Sequence, residues 1–322
     1  MDTKDKFQSL IIIIIAFIGI FIGQVDFISN LSDKLIMPFL TLMLFLLFLQ
    51  IPFENIKTSL KNIKFTSTAI IINFIITPML IFILGKLFLI NEADLLIGFV
   101  MLTVTPCTDW YLIFTDIAKG NTALGASLLP LNFILQIVLL PLYVLLICGT
   151  SIKFNSIELI SSTIINLIIP LILSILIRNI IIKIKGYTYF DETLLKKCCR
   201  LQGWFLNLAI LSMFASQGNV FLSHPSIFLK LLIPLLLFFF TVFLLGQFIG
   251  FKLNMPYEDT AALNLTTLAR NSPIALAIAV AYFSDRPMIA VALIVGPLIE
   301  IPVLMAVSRI LLFKQSRQKE CT

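Results

Sequence analysis

The sequence predicts an all-α, polytopic membrane protein, and three observations carry that prediction. Hydrophobic residues make up 59% of the 322 and charged residues only 12%, with a mean hydropathy of +1.06; a soluble domain carries about 25% charge. The apolar residues fall into ten runs, each near the roughly 20 residues needed to cross the hydrocarbon core. The lysines and arginines alternate sides with those runs, as loop charges of an inserted protein do.

In chain order the predicted spans are 8–24, 34–52, 66–86, 94–116, 122–148, 157–181, 200–219, 227–250, 259–283 and 287–311. The first run has a weakly charged start and no small-residue cleavage site, so it reads as a first helix rather than a removed signal peptide. Pro78, Pro141, Pro170 and Pro234 stand singly in their spans and read as ordinary kinks. With the N-terminus on one side, that side collects 17 of the 23 basic residues and the other side 5, while Arg270 falls inside the ninth span. The bias places both termini in the cytoplasm, and an odd number of spans would break it. The net charge of +6 therefore reports cytosolic loops, not a nucleic-acid partner, because no basic run is interleaved with aromatics.

Two spans differ from the rest. The fourth contains Thr105-Pro106-Cys107-Thr108-Asp109-Trp110, and the ninth contains Arg270-Asn271-Ser272-Pro273. Each sets a proline among polar residues at membrane depth, and each is the fourth span of a five-span half. Five is odd, so residues 1–150 and 151–322 would be inverted repeats of opposite orientation. Broken helices at matched positions of inverted repeats point to a transport site near the midplane.

The chemistry concentrates at these breaks. Asp109 and Arg270 are each costly alone in the membrane and tolerable as a pair. The pair could be a static lock between the halves, or it could open on binding of a proton or substrate. Cys107 has two readings: a small buried hydrophobe, or a soft ligand suited to a metal or metalloid. One thiol does not make a high-affinity site, so transient ligation fits better than storage. Asn132 and Gln136 share a face of the fifth span. Glu300 in the last span is either a proton carrier or a packing group bonded to backbone. The chain lacks the phosphate-binding G-x-x-x-x-G-K-[ST] pattern, carries one histidine, and offers no placeable catalytic triad or metal cluster. An enzyme and an ATP-driven pump are both disfavoured, and no cofactor is expected. The partners expected are the bilayer, a small inorganic or organic solute, and a coupling proton or sodium ion.

These segments resemble the bile acid/sodium symporter superfamily, and within it the arsenical-resistance permeases. The resemblance covers nearly the whole chain. Its most specific parts are T-P-C-T-D-W at Thr105–Trp110, A-x-G-N at Ala118–Asn121, A-R-N-S-P-I-A-L-A-I-A at Ala269–Ala279 and V-G-P-L-I-E-I-P-V at Val295–Val303. It implies ten helices in two inverted five-helix repeats, with discontinuous fourth and ninth helices crossing, and panel and core domains each drawn from both repeats. It also implies exchange of arsenite or antimonite for protons across a bacterial inner membrane, with Cys107 as transient metalloid ligand. The substrate-binding set is then Cys107, Thr108, Asn132, Gln136, Asn271 and Ser272; the ion-coupling set is Asp109, Arg270 and Glu300; Pro106 and Pro273 break the helices. One departure stands out. The ninth-helix acid of the arsenite carriers has no counterpart in Arg270-Asn271-Ser272-Pro273, while Asp109 stands beside Cys107. The runner-up is a sodium-coupled symporter of an organic anion, which Arg270 would suit.

Overall fold

The computed structural model describes residues 14–15, 17–51, 62–107, 111–149, 156–223, 226–283 and 285–320. Thr108, Asp109, His224 and Cys321 lie outside these residues. The described backbone is helical throughout, with one isolated β-bridge. Among the described residues, seven helices are long and apolar enough to cross a membrane, and two shorter apolar helices accompany them.

The chain divides into two compact units, and each draws on both halves of the sequence. The first comprises residues 1–51, 154–227 and 273–294. It contains α1 (Asp26–Leu49), with α6 (Ser156–Lys185) and α7 (Leu195–Ser223) from the second half. The first apolar run packs on α7 through Gly19 and Gly23, four residues apart. A methyl group at Gly23 would sit 2.1 Å from the Ala215 carbonyl oxygen, and one at Gly19 would sit 2.8 Å from the Leu211 oxygen. Without a hydrophobic force between helices in lipid, such small-residue pairs let backbones approach closely enough for dispersion to hold them. At the cytosolic end predicted for α1, Arg178 donates from Nη1 to the Ile51 carbonyl at 2.8 Å and lies over the Phe190 ring.

The second unit comprises residues 52–153, 228–272 and 295–322. Its helices are α2 (Ile63–Phe88), α3 (Ala93–Val104), α4 (Tyr111–Ile117), α5 (Thr122–Cys148), α8 (Ser226–Lys252) and α9 (Tyr257–Leu268). Of α11 (Pro287–Glu320), residues 287–294 are assigned to the first unit and 295–320 to the second; α10 (Ser272–Tyr282) belongs to the first from Pro273 onward.

Proline shapes α2 in a way the sequence only half shows. Pro78 has no N–H, so it cannot bond the Phe74 carbonyl four residues earlier. The preceding turn, Ile72–Ile76, widens to a π-helix, and Tyr143 Oη donates to the Phe74 oxygen at 2.5 Å. A second small-residue pair packs α8 on α9. A methyl group at Gly246 would lie 2.6 Å from Asn264 Oδ1, and one at Gly250 would lie 2.5 Å from Thr260 Cγ2. The opposite side of α8 exposes Phe240, Leu244, Phe248 and Phe251. Water would make that face a liability; lipid makes it the expected one.

The A-x-G-N stretch ends α4 and ties it to α9. Lys119 takes a left-handed φ of 53°, and Gly120 N–H bonds back to the Thr115 oxygen at 2.8 Å, closing the helix C-terminus. Asn121 then caps α5, accepting from Leu124 N–H at 3.0 Å and donating to Asp259 at 2.8 Å. Its own N–H bonds the Glu258 oxygen, and Tyr257 Oη donates to the Ala118 oxygen at 2.7 Å.

Candidate functional site

Both polar stretches are true helix breaks, and in the second unit they meet. After Val104 the chain turns extended at Thr105 (φ −97°, ψ 103°), the conformation a residue before proline favours. After Leu268 it turns extended at Ala269 (φ −69°, ψ 139°). Pro106 and Arg270 then form an antiparallel β-bridge. Cys107 N–H donates to the Ala269 oxygen at 2.9 Å, and Asn271 N–H to the Thr105 oxygen at 2.8 Å. Pro106 suits the bridge because both bonds come from its neighbours and none needs its missing N–H. Pro273 plays the other proline role. It is the second residue of α10, where a first-turn N–H would be unpaired anyway.

Side chains partner further backbone groups at the break. Buried main-chain donors and acceptors must find partners, and here Thr105 and Glu300 supply two of them. Thr105 Oγ1 lies 3.0 Å from the Met101 oxygen, one turn back in α3. Glu300 Oε1 accepts from the Arg270 N–H at 2.8 Å. Of the two readings of Glu300, this geometry supplies the backbone bond of the second; the carboxyl holds the second break in place.

Arg270 does the most. It is 3% exposed. Its Nε donates to the Leu268 oxygen at 3.1 Å, Nη1 to the Thr103 oxygen at 2.9 Å, and Nη2 to Asn73 Oδ1 at 3.3 Å and also to the Thr267 oxygen. The guanidinium lies 5.1 Å from the Phe238 ring centroid. It therefore caps the C-terminal carbonyls of two half-helices at once, α3 through Thr103 and α9 through Thr267 and Leu268. A lone arginine at mid-membrane costs about 2.5–3.5 kcal/mol on insertion scales. Charged hydrogen bonds contribute about 1.5–3 kcal/mol each, so this set of acceptors offsets that cost.

The sequence-predicted residues divide accordingly. Pro106, Cys107, Arg270, Asn271 and Ser272 come together at the bridge, and all five are buried, Cys107 at 3% exposure. Glu300 joins them through Arg270. Asn132 and Gln136 are 0% and 1% exposed, and the amide oxygen and nitrogen of each lack a hydrogen-bond partner among the described residues. Buried amides normally find partners, so these two stand out among the described residues. Thr108 and Asp109, with the proposed Asp109–Arg270 pair, lie outside the described residues. Asn73, Thr103 and Phe238 were not singled out from sequence. Asn73 carried a signal, an amide in an apolar span; Thr103 acts only through its carbonyl, which every residue has.

A multi-pass helical protein with broken, paired segments buried in one unit is built as a transporter. The family model described as Sodium Bile acid symporter family matches residues 37–224, and the chain belongs to that family. It is 26% identical to the arsenical-resistance protein Acr3 of Corynebacterium glutamicum, over 93% of this chain and 86% of that protein. It is 26% identical to the Acr3 protein of Alkaliphilus metalliredigens, over 84% and 78% respectively. An uncharacterized transporter of Synechocystis sp. is 25% identical, over 82% and 74%. The chain is thus a membrane transporter, not an enzyme.

Proposed function

We propose that the protein exports trivalent arsenite or antimonite across the bacterial inner membrane in exchange for protons. The observation that carries this is the Cys107 thiol, buried at the meeting point of the two broken helices. A soft sulfur ligand there suits a soft metalloid. Ligation is an exchange: a sulfur–arsenic bond forms, one arsenic hydroxyl leaves, and it departs as water with the thiol proton. Hydrolysis reverses the step and releases the cargo. The unpartnered amides of Asn132 and Gln136, with Thr108, Asn271 and Ser272, would bond the remaining hydroxyls.

Asp109, two residues from the thiol, would carry or gate the exchanged proton, with Arg270 as its electrostatic partner and Glu300 as the second candidate. The crossing count proposed is ten, with both termini cytoplasmic and residues 1–150 and 151–322 as inverted repeats. The seven long helices leave the first run and the two broken segments to supply the other three. The names of the two Acr3 relatives support the substrate class. The anion-symporter alternative loses its main support, since the guanidinium it would use already binds three carbonyls and Asn73.

The deciding experiment is arsenite uptake into everted vesicles under an imposed pH gradient, comparing wild type with Cys107→Ser. Uptake by wild type and its loss in the variant are expected. Absence of uptake in wild type, or full uptake in the variant, would sink the proposal.

A further inference from the structure

We infer that the Arg270 guanidinium is a tethered substitute for a coupling metal cation: it fills the carbonyl-lined position where the two half-helices end, so this crossing takes up no sodium ion. The first support is charge. Each helix C-terminus carries the equivalent of about −0.5 elementary charge. Two such ends meet here, together about −1, and a single positive group balances them. The second is ligand type. Half-helix C-terminal ends and unwound carbonyls are the groups with which broken-helix transporters coordinate Na⁺ or H⁺. The carbonyls of Thr103, Thr267 and Leu268 and the Asn73 side-chain oxygen form such an all-oxygen set, and every one of them accepts from Arg270.

The third support is saturation. A guanidinium has five N–H donors, and four of them are engaged by these oxygens. The Phe238 ring lies 5.1 Å from the guanidinium carbon, adding cation–π contact. A mobile cation could enter only by displacing the side chain from bonds that cap two helices. The charge therefore stays with the protein throughout the cycle. This inference is independent of the metalloid assignment, because it concerns which cation the protein binds, not which solute it moves.

The test is melting of the purified full-length protein in detergent, in sodium chloride against choline chloride at equal ionic strength, with methylguanidinium as a second probe. Wild type is expected to melt within about 1 °C in all three. Arg270→Ala is expected to melt lower in choline and to gain about 3 °C per tenfold increase of sodium or methylguanidinium above its Kd. Saturable stabilisation of wild type by sodium would overturn the inference. So would a folded Arg270→Ala protein indifferent to both cations. If that variant does not fold in any medium, Arg270→Lys decides: folding with indifference to sodium supports a tethered charge, and a new sodium requirement overturns it.

Discussion

The two helix breaks do opposite work with the same backbone device. Each turns extended at the residue before a shared β-bridge, and each lends one N–H to the other strand. The first break contributes Cys107, which bonds the Ala269 oxygen through its main-chain N–H. The second contributes Arg270, whose side chain closes two helix ends and whose N–H is held by Glu300. The second strand thus holds the crossing through a side chain as well as through its main chain. The same logic separates the two buried arginines. Arg178 in the first unit donates to the Ile51 carbonyl just past α1 and lies over the Phe190 ring; Arg270 bonds three carbonyls and an amide.

The comparison makes graded predictions. The largest effect is expected from Arg270→Met. It keeps the length but strips the caps from α3 and α9, and breaking such a buried charged network costs about 3–5 kcal/mol. Loss of monodisperse protein on size exclusion is the readout. Arg178→Met, which removes the bond to the Ile51 oxygen, should cost less, about 1.5–3 kcal/mol. Equal loss in the two variants would remove the distinction drawn between them. Cys107→Ser, by contrast, should leave melting unchanged while arsenite uptake falls by at least about tenfold.

Next is the packing that presents α9 to the break. Gly250→Val forces a branched side chain against Thr260, itself branched at Cβ. Overpacking of this kind costs about 1–3 kcal/mol, measurable as lowered melting in detergent. Glu300 separates its two readings by a pair of variants. Glu300→Gln keeps an acceptor for the Arg270 N–H, so melting should stay near wild type. Glu300→Leu removes the acceptor and should cost about 1–3 kcal/mol. If Glu300→Gln also abolishes the pH dependence of transport with melting intact, the carboxyl carries the proton as well.

The smallest effect is expected at the tie between α4 and α9. Burial, and secondarily the neighbouring Glu258, pushes the Tyr257 phenol up to about 12 from its ordinary 10. The folded state thus favours the neutral phenol more than the unfolded chain does. Its contribution is complete below pH 10 and is lost as pH rises from 10 towards 12. Alkaline melting curves should show that added loss in wild type and not in Tyr257→Phe, which should cost about 1 kcal/mol at neutral pH for its bond to the Ala118 oxygen.

Much of this was legible in the sequence because lipid simplifies the rules. The described helices Ile63–Phe88, Thr122–Cys148 and Leu229–Lys252 each sit within a few residues of the spans expected from hydropathy alone. The breaks at Pro106 and near Pro273 were visible as polar residues beside prolines. The role of Glu300 was visible only as a choice between proton carrier and backbone partner, because sequence shows an acid but not the N–H it faces. The two glycine pairs, Gly19 with Gly23 and Gly246 with Gly250, stood in the chain unread. Small residues four apart acquire meaning only when a partner backbone is known.

What the sequence determined by itself is the membrane as solvent, the apolar helices and the two interrupted segments. Those follow from transfer free energy and from the missing proline N–H, both properties of residues in order along the chain. What only the tertiary structure decided is which groups answer the interruptions. The oxygens around Arg270 come from Asn73, Thr103, Thr267 and Leu268, three of them main-chain carbonyls. Every residue has such a carbonyl, so no residue type marks those that a broken helix leaves open for a buried cation. The Cys107 N–H likewise finds the Ala269 oxygen across more than 160 residues of chain, a meeting that only the folded second unit brings about.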